Sequence, residues 1–275
     1  MDAQSNHRQV SSARMRTPGK PVAVCTEESW LDLLKPERER LAELDAAHDG
    51  GLSIDNETEG LLLALAEAVE QRDRNMAGHC ERMSCIAVAM GVVMGLERTS
   101  LLALYRGGYL HDVGKVGIPD SILFNPRPLS RQEWVIMRSH TTRGEQICRH
   151  LHSLRPVLPI IRSHHERFDG SGYPDGLRGT QIPLLARVMQ IADIYDALTS
   201  RRCYKPAYSP AKAVEMILDE TGRGWRDPQI VDLFLRLHKD VISKDTWHGA
   251  GIGHSLIALR AALANRRDFP ADSVA

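Results

Sequence analysis

The chain has 275 residues, 43% apolar and 25% charged, which is ordinary globular usage and enough for one large domain or one domain with an appendage. Basic and acidic residues balance at 35 each, so no global charge argues for a nucleic-acid polymer or an anionic membrane surface. Five cysteines without a CxxC pair speak against a disulfide framework or a thiolate zinc site. The N-terminus has no apolar secretory core, and no stretch approaches the roughly 20 apolar residues that span a bilayer, so a cytoplasmic protein is expected.

Residues 1–55 form an N-terminal segment: a polar lead, then "ESWLDLLKPERERLAELDAAHDGG", helical material broken at Pro36 and stopped at Gly50-Gly51. From residue 56 the apolar spacing becomes densely helical, in "ETEGLLLALAEAVEQRD", "ERMSCIAVAMGVVMGL" and "RTSLLALYRGGYLHDVG". Ser130 and Glu133 have capping-box spacing and open the helix "RQEWVIMRSH". A short helix near Pro159 leads to "SHHERF" and then to a fifteen-residue loop, "DGSGYPDGLRGTQIP", long for a mere connection. Its Gly170, Gly172 and Gly176 permit positive φ and close backbone approach, and Pro174 stiffens the turn. "LLARVMQIADIYDALTS" is the next helix; Ser209-Pro210 starts another, and "DPQIVDLFLRLHKD" is the last. The expectation is an all-α domain over 56–242, with a mixed tail over 243–275. No run of alternating residues predicts a strand.

Several of the twelve histidines fall on these helices. Taken alone, each has an ordinary reading: His79 as a solvated helix start, His140 as a surface residue, Asp193 as half of a salt bridge. A lone His–Asp dipeptide such as His111-Asp112 is most often structural. Together, His79, His111, Asp112, His140, His164, His165 and Asp193 make a donor set suited to iron, manganese, nickel or zinc. Two pairs of adjacent donors are odd for one ion, because neighbours on a helix diverge by about 100°. They suit two ions about 3.5–4 Å apart.

The ordered stretches "AGHCERM", "LHDVGKVGIPD", "MRSHTTRGEQI", "HHERFDGSGYPDGLRG", "IPLLARVMQIADIYDALTSRRCYKPAYSP" and "DPQIVDLF" carry a resemblance. Over residues 61–238 the chain resembles the HD-GYP family, HD-superfamily phosphohydrolases that degrade cyclic di-GMP; the GYP triplet is Gly172-Tyr173-Pro174. The resemblance implies an HD-domain-like helical bundle in which the seven donors bind two divalent metals, iron first, with manganese or nickel as alternatives. It implies that Asp112 bridges them, that Lys115 contacts the scissile phosphate, and that Arg202 and Lys205 bind phosphate. It implies further that Tyr173 and its loop help to shape the site and that the loop offers a contact for diguanylate cyclases; a homodimer is compatible with the pattern. Asn75 stands where some relatives have a glutamate that holds a third metal, so two metals are expected. Thr141 and Cys203 replace prolines usual in the family without removing a donor.

The implied reaction is hydrolysis of cyclic di-GMP to pGpG by a hydroxide activated between two metals, with the second cleavage to GMP left open by Asn75. No side chain stands out as a general acid. Two alternatives remain: an enzyme preferring pGpG or another cyclic dinucleotide, and a non-catalytic signalling protein that binds a cyclic dinucleotide or a partner. The complete donor set speaks against the latter.

Overall fold

The computed structural model describes residues 54–72, 78–200 and 207–239; the expectations for Asn75, Arg202, Cys203, Lys205 and both chain ends fall outside these residues. In order, the helices are α1 (Ile54–Arg72), α2 (His79–Val93), α3 (Arg98–Leu110), α4 (Asp120–Leu123) and α5 (Arg131–Arg138). They continue with α6 (His140–Cys148), α7 (Leu158–Ser163), α8 (Leu184–Thr199), α9 (Pro210–Gly222) and α10 (Pro228–Leu237). Among the described residues no strand forms, and an isolated bridge joins Asp169 to Arg178. None of these helices is long and apolar enough to cross a membrane.

Helix α2 is the axis of the core. Every residue from Met83 to Gly91 is buried, as expected for a helix that is apolar all round. It packs against α3 and α8, and α8 in turn meets α7, α9 and α10. Phe234, Tyr195, Ile160 and Leu104 fill the space between these helices. The caps expected from the sequence at Ser130 and Ser209 are present, and Asp227 supplies another. Glu133 N–H donates to Ser130 Oγ at 3.3 Å while Ser130 N–H donates to Glu133 Oε2 at 2.7 Å, and Ser209 and Asp227 cap α9 and α10 ahead of a proline.

Two helix boundaries differ from the expectation, and both position the site. The periodic run "RTSLLALYRGGYLHDVG" does not continue through its His–Asp pair. α3 ends at Leu110, His111 caps it, Asp112 leaves helical geometry at φ −104°, and a 3₁₀ turn follows over Val113–Gly117. The reason is tertiary: that turn is pressed onto the start of α6. A Cβ on Gly114 would lie 1.9 Å from the carbonyl oxygen of His140, so only glycine fits. Likewise, His140 does not end α5; the chain bends at Ser139 and His140 opens α6.

Candidate metal centre

The termini of α2, α3, α6 and α7 converge on the middle of α8. His79 opens α2, His111 closes α3, Asp112 follows it, His140 opens α6, His164 and His165 follow α7, and Asp193 lies in α8. All seven residues singled out from the sequence meet here, and they fall into two groups. Asp112, His140, His164 and His165 form one; His79, His111 and Asp193 form the other, with the donor atoms inside each group within 4.8 Å of one another. Asp112 faces both. Its Oδ2 is 3.2 Å from His111 Nε2, and its Oδ1 is 3.3 Å from His140 Nε2.

The rings are aimed. His111 Nδ1 lies 2.9 Å from the Gly108 carbonyl oxygen, His140 Nδ1 2.7 Å from that of Met137, and His164 Nδ1 2.9 Å from that of Ile161. A carbonyl only accepts, so each Nδ1 carries the proton, and in a neutral ring the lone pair sits on Nε2 and points into the site. Burial lowers the pKa of His140, and drives those of His164 and His165 well below the usual histidine value, so these rings are neutral at pH 7. Burial would also lower His111, but the Asp112 carboxylate outweighs it and the net shift is upward. Burial opposes ionisation of Asp112 too, yet Lys115 and His111 hold its carboxyl well below the ordinary range. Lys115 Nζ donates to Asp112 Oδ2.

Among the described residues, Asp112 Oδ1, His140 Nε2 and His164 Nε2 are buried without a hydrogen-bond partner. An unpaired buried polar atom costs about 1–3 kcal/mol. Here three lone-pair atoms face one another, with Asp112 Oδ1 also 3.9 Å from His164 Nε2, an arrangement that repels itself unless a cation sits among them. The donors therefore fit a divalent metal of the imidazole- and carboxylate-binding kind.

The loop after α7 closes the other side. Glu166, fully buried, accepts from the backbone N–H groups of Asp175, Gly176 and Leu177 at 2.7, 3.1 and 3.1 Å. Gly170 and Gly176 have positive φ, as expected; Gly172 does not, and is needed for close approach, since a Cβ there would lie 2.1 Å from the Arg167 nitrogen. Tyr173 stacks on His165 with ring centres 4.9 Å apart, and the Arg138 guanidinium lies 5.0 Å from the Tyr173 ring centre. A cleft of about 210 Å³ runs between this loop and α8.

Residues 64–230, which include all seven donors, match the HD domain family. The chain belongs to that family, in its HD-GYP branch. The HD domain is similar to the 3'3'-cGAMP-specific phosphodiesterase 2 of Vibrio cholerae, 37% identical over 179 residues that cover 64% of this chain and 34% of that protein. It is similar to the cyclic di-GMP phosphodiesterase response regulator RpfG of Xanthomonas campestris, 39% identical over 64% of this chain and 47% of that protein. The chain thus spans between a third and a half of these relatives' lengths. The crystal structure of a cyclic GMP-AMP-specific phosphodiesterase of V. cholerae shares the fold, with TM-score 0.54 and 21% identity over 73% of this chain and 53% of that one.

The HD domain also contains supports that the sequence pattern does not single out. Asp196, buried in α8, lies 2.6 Å from His79 Nδ1 and accepts from Arg82 Nε at 2.6 Å, while Arg82 Nη2 donates to Ser200 Oγ at 3.0 Å. Burial would raise Asp196; His79 and Arg82 hold it lower. The signal that could have found it is the one that marks Asp193, a carboxylate inside an apolar helix, repeated three residues later. Glu166 carries no such signal, because its partners are backbone N–H groups of a loop.

Proposed function

We propose that this chain is a metal-dependent phosphodiesterase of cyclic dinucleotides, with cyclic di-GMP as substrate and linear pGpG as product. The observation that carries the reading is the trio of buried, unpartnered atoms on Asp112, His140 and His164, facing one another beside a cleft. In this reading, His79, His111 and Asp193 would hold one ion, and His140, His164 and His165 would hold the other, with Asp112, which faces both groups, available to each. The chemistry supplied by two divalent ions in those positions is Lewis-acid chemistry: a water acidic enough to ionise near neutral pH, and positive charge for the phosphate.

The chain's own residues do the rest. The backbone carbonyls at Gly108, Met137 and Ile161 keep the Nδ1 protons on their rings and so keep the Nε2 lone pairs available. Lys115, clamped on Asp112, orients that carboxylate and offers its ammonium to a non-bridging phosphate oxygen. Tyr173 is a protonated donor at neutral pH, as any phenol is, and burial pushes its pKa further upward. Arg202 and Lys205 add phosphate-binding charge. Attack by a water-derived hydroxide on phosphorus opposite the 3′-oxygen forms a new P–O bond, breaks the P–O3′ bond and opens the macrocycle; the leaving 3′-oxygen takes its proton from solvent. With Asn75 in place of an anionic ligand, the second cleavage to GMP is slow.

The test is a product assay. The full chain is loaded separately with ferrous iron, manganese and nickel without oxygen, given cyclic di-GMP, and its nucleotides are resolved over time. Appearance of pGpG is expected, with turnover and bound metal both lost in the H111A/D112A double variant. Measured metal occupancy without product for any nucleotide would move the reading to a binding protein. A parallel series with 3'3'-cGAMP addresses a second reading, favoured by the similarity to the cGAMP-specific relative.

A further inference from the structure

The cleft beside the donor groups has an imbalance of charge. It is lined by three guanidiniums, Arg138, Arg167 and Arg226, and its one lining carboxylate is Asp193, which belongs to the donor set. Arg226 is accounted for within the protein: buried, it donates to Glu220 Oε2 at 2.8 Å and to Gln190 Oε1 at 3.3 Å. The other two are not. The Arg138 guanidinium lies over the rings of Tyr173 and Trp134, at 5.0 and 5.6 Å, and among the described residues it makes neither a hydrogen bond nor an ion pair. The Arg167 guanidinium lies over Trp225, 3.7 Å from its ring centre, and its polar contact among the described residues is Ser171 Oγ at 3.5 Å, a marginal bond. Arg138 is exposed and Arg167 half-buried; other half-buried arginines, Arg82, Arg162 and Arg187, each pair with a carboxylate. Aromatic rings therefore help to fix where Arg138 and Arg167 stand while leaving N–H edges of both open to a ligand. The Asp169 carboxyl, held low first by the Ser171 N–H, also feels the Arg167 charge but forms no ion pair with it.

The cleft's size says what part of a ligand it takes. Pockets for whole small ligands are roughly 300–1,000 Å³. At about 210 Å³ this one holds a fragment of a cyclic dinucleotide rather than all of it. A nucleobase is a poor match. Tyr173 is already stacked on His165 and covered by Arg138, and Trp225 already carries Arg167, with Arg223 5.3 Å from its ring centre. What the cleft offers is planar N–H donors, and these match a phosphate. A cyclic dinucleotide has two phosphodiesters, each with a permanent negative charge. If one is cleaved at the donor groups, the other must also leave water.

Resting on the phosphodiesterase reading, we infer that Arg138 and Arg167 form a subsite for the second, uncleaved phosphodiester of the cyclic dinucleotide, held in place by Tyr173 and Trp225. Such a subsite reads the two-phosphate ring and is indifferent to its bases, so it serves cyclic di-GMP and 3'3'-cGAMP alike. Discrimination between guanine and adenine then lies elsewhere.

The experiment compares wild type with R138Q, R167Q and the double variant, as full chains loaded with manganese. KM and kcat are measured for cyclic di-GMP and for bis(p-nitrophenyl) phosphate, a diester with no second phosphate. The affinity of the metal-stripped proteins for cyclic di-GMP is measured alongside. Losing a charge-assisted donor pair is expected to raise KM and Kd for cyclic di-GMP about tenfold per arginine. The loss in kcat/KM for the single-phosphate diester is expected to be at least about fivefold smaller than that for cyclic di-GMP, with partial recovery in R138K and R167K. Equal losses on both substrates, or wild-type KM and Kd in the double variant, would overturn the subsite. A wild-type protein that binds cyclic di-GMP without cleaving it would refute catalysis, yet the variants' Kd values would still judge the subsite. A wild-type protein that neither binds nor cleaves it would end both.

Discussion

In the donor group around His140 and His164, the supporting partners are main-chain carbonyls, those of Met137 and Ile161. In the group around Asp193, His111 also leans on a carbonyl, but His79 leans on a side chain: Asp196, itself tied to Arg82 and Ser200. The two halves of the site therefore differ in how they can be damaged. A carbonyl support survives any substitution that spares the helix end, whereas the Asp196 support is one mutation from removal. The Asp196 network also ends at Ser200, the last described residue before the stretch that carries Arg202 and Lys205.

The largest expected effect falls on the residue shared by both halves. Asp112→Asn should bring turnover to background and metal content below one ion per chain, by elemental analysis of the purified variant. Asp196→Asn should break the symmetry: metal affinity or activity falls about 10–100-fold, as for lost partners of metal-ligating histidines. In equilibrium dialysis, one of two ions should weaken while the other holds. Equal weakening of both would mean that the two halves are not separately supported.

Smaller effects should come from the loop side. Glu166→Gln replaces an acceptor of three backbone N–H groups with one that has a single acceptor oxygen, and should cost about 2 kcal/mol in a urea melt. Metal stoichiometry should not change, because neither donor group depends on that loop for its carbonyl partners. Arg162→Met should be the mildest. Arg162 ties Asp175 of the loop to Glu145 of α6, and its hydrogen bond holds the Asp175 carboxyl below its ordinary value. A depressed carboxylate stabilises the fold above its unfolded pKa and stops doing so as pH falls through the folded one. These side chains are about a third exposed, so the difference between wild type and variant should stay under about 1 kcal/mol at pH 7 and shrink on acidification. A difference that grows toward low pH would show that Arg162 acts through something other than this pair.

Much of the fold and of the site is legible in the order of residues. The helices announce themselves through their period and their caps: Ser130 with Glu133, Ser209 before Pro210, Asp227 before Pro228. Asp193 stands out because a carboxylate inside an apolar helix needs a reason to be there, and the histidines and Asp112 stand out as a set of metal-binding types in paired positions. The break after His111 is not legible, because helical period continues across it and only the contact between Gly114 and the His140 carbonyl ends α3 there. The expectation for Gly172 is half right, since φ is a local property while the space around a Cβ belongs to the packed neighbours.

By itself, then, the sequence determined the all-α class, the capped helix starts at Ser130 and Ser209, and which residues are candidate donors, because periodicity, capping and side-chain chemistry are read in the order of residues. The tertiary structure alone decided which donors share a group, that Asp112 faces both, that backbone carbonyls set the tautomers, and that two arginines outside any ion pair among the described residues line the cleft beside the donors. Those outcomes depend on where helix ends from distant parts of the chain come to rest against α2 and α8, and a string of residues taken in order does not contain that distance.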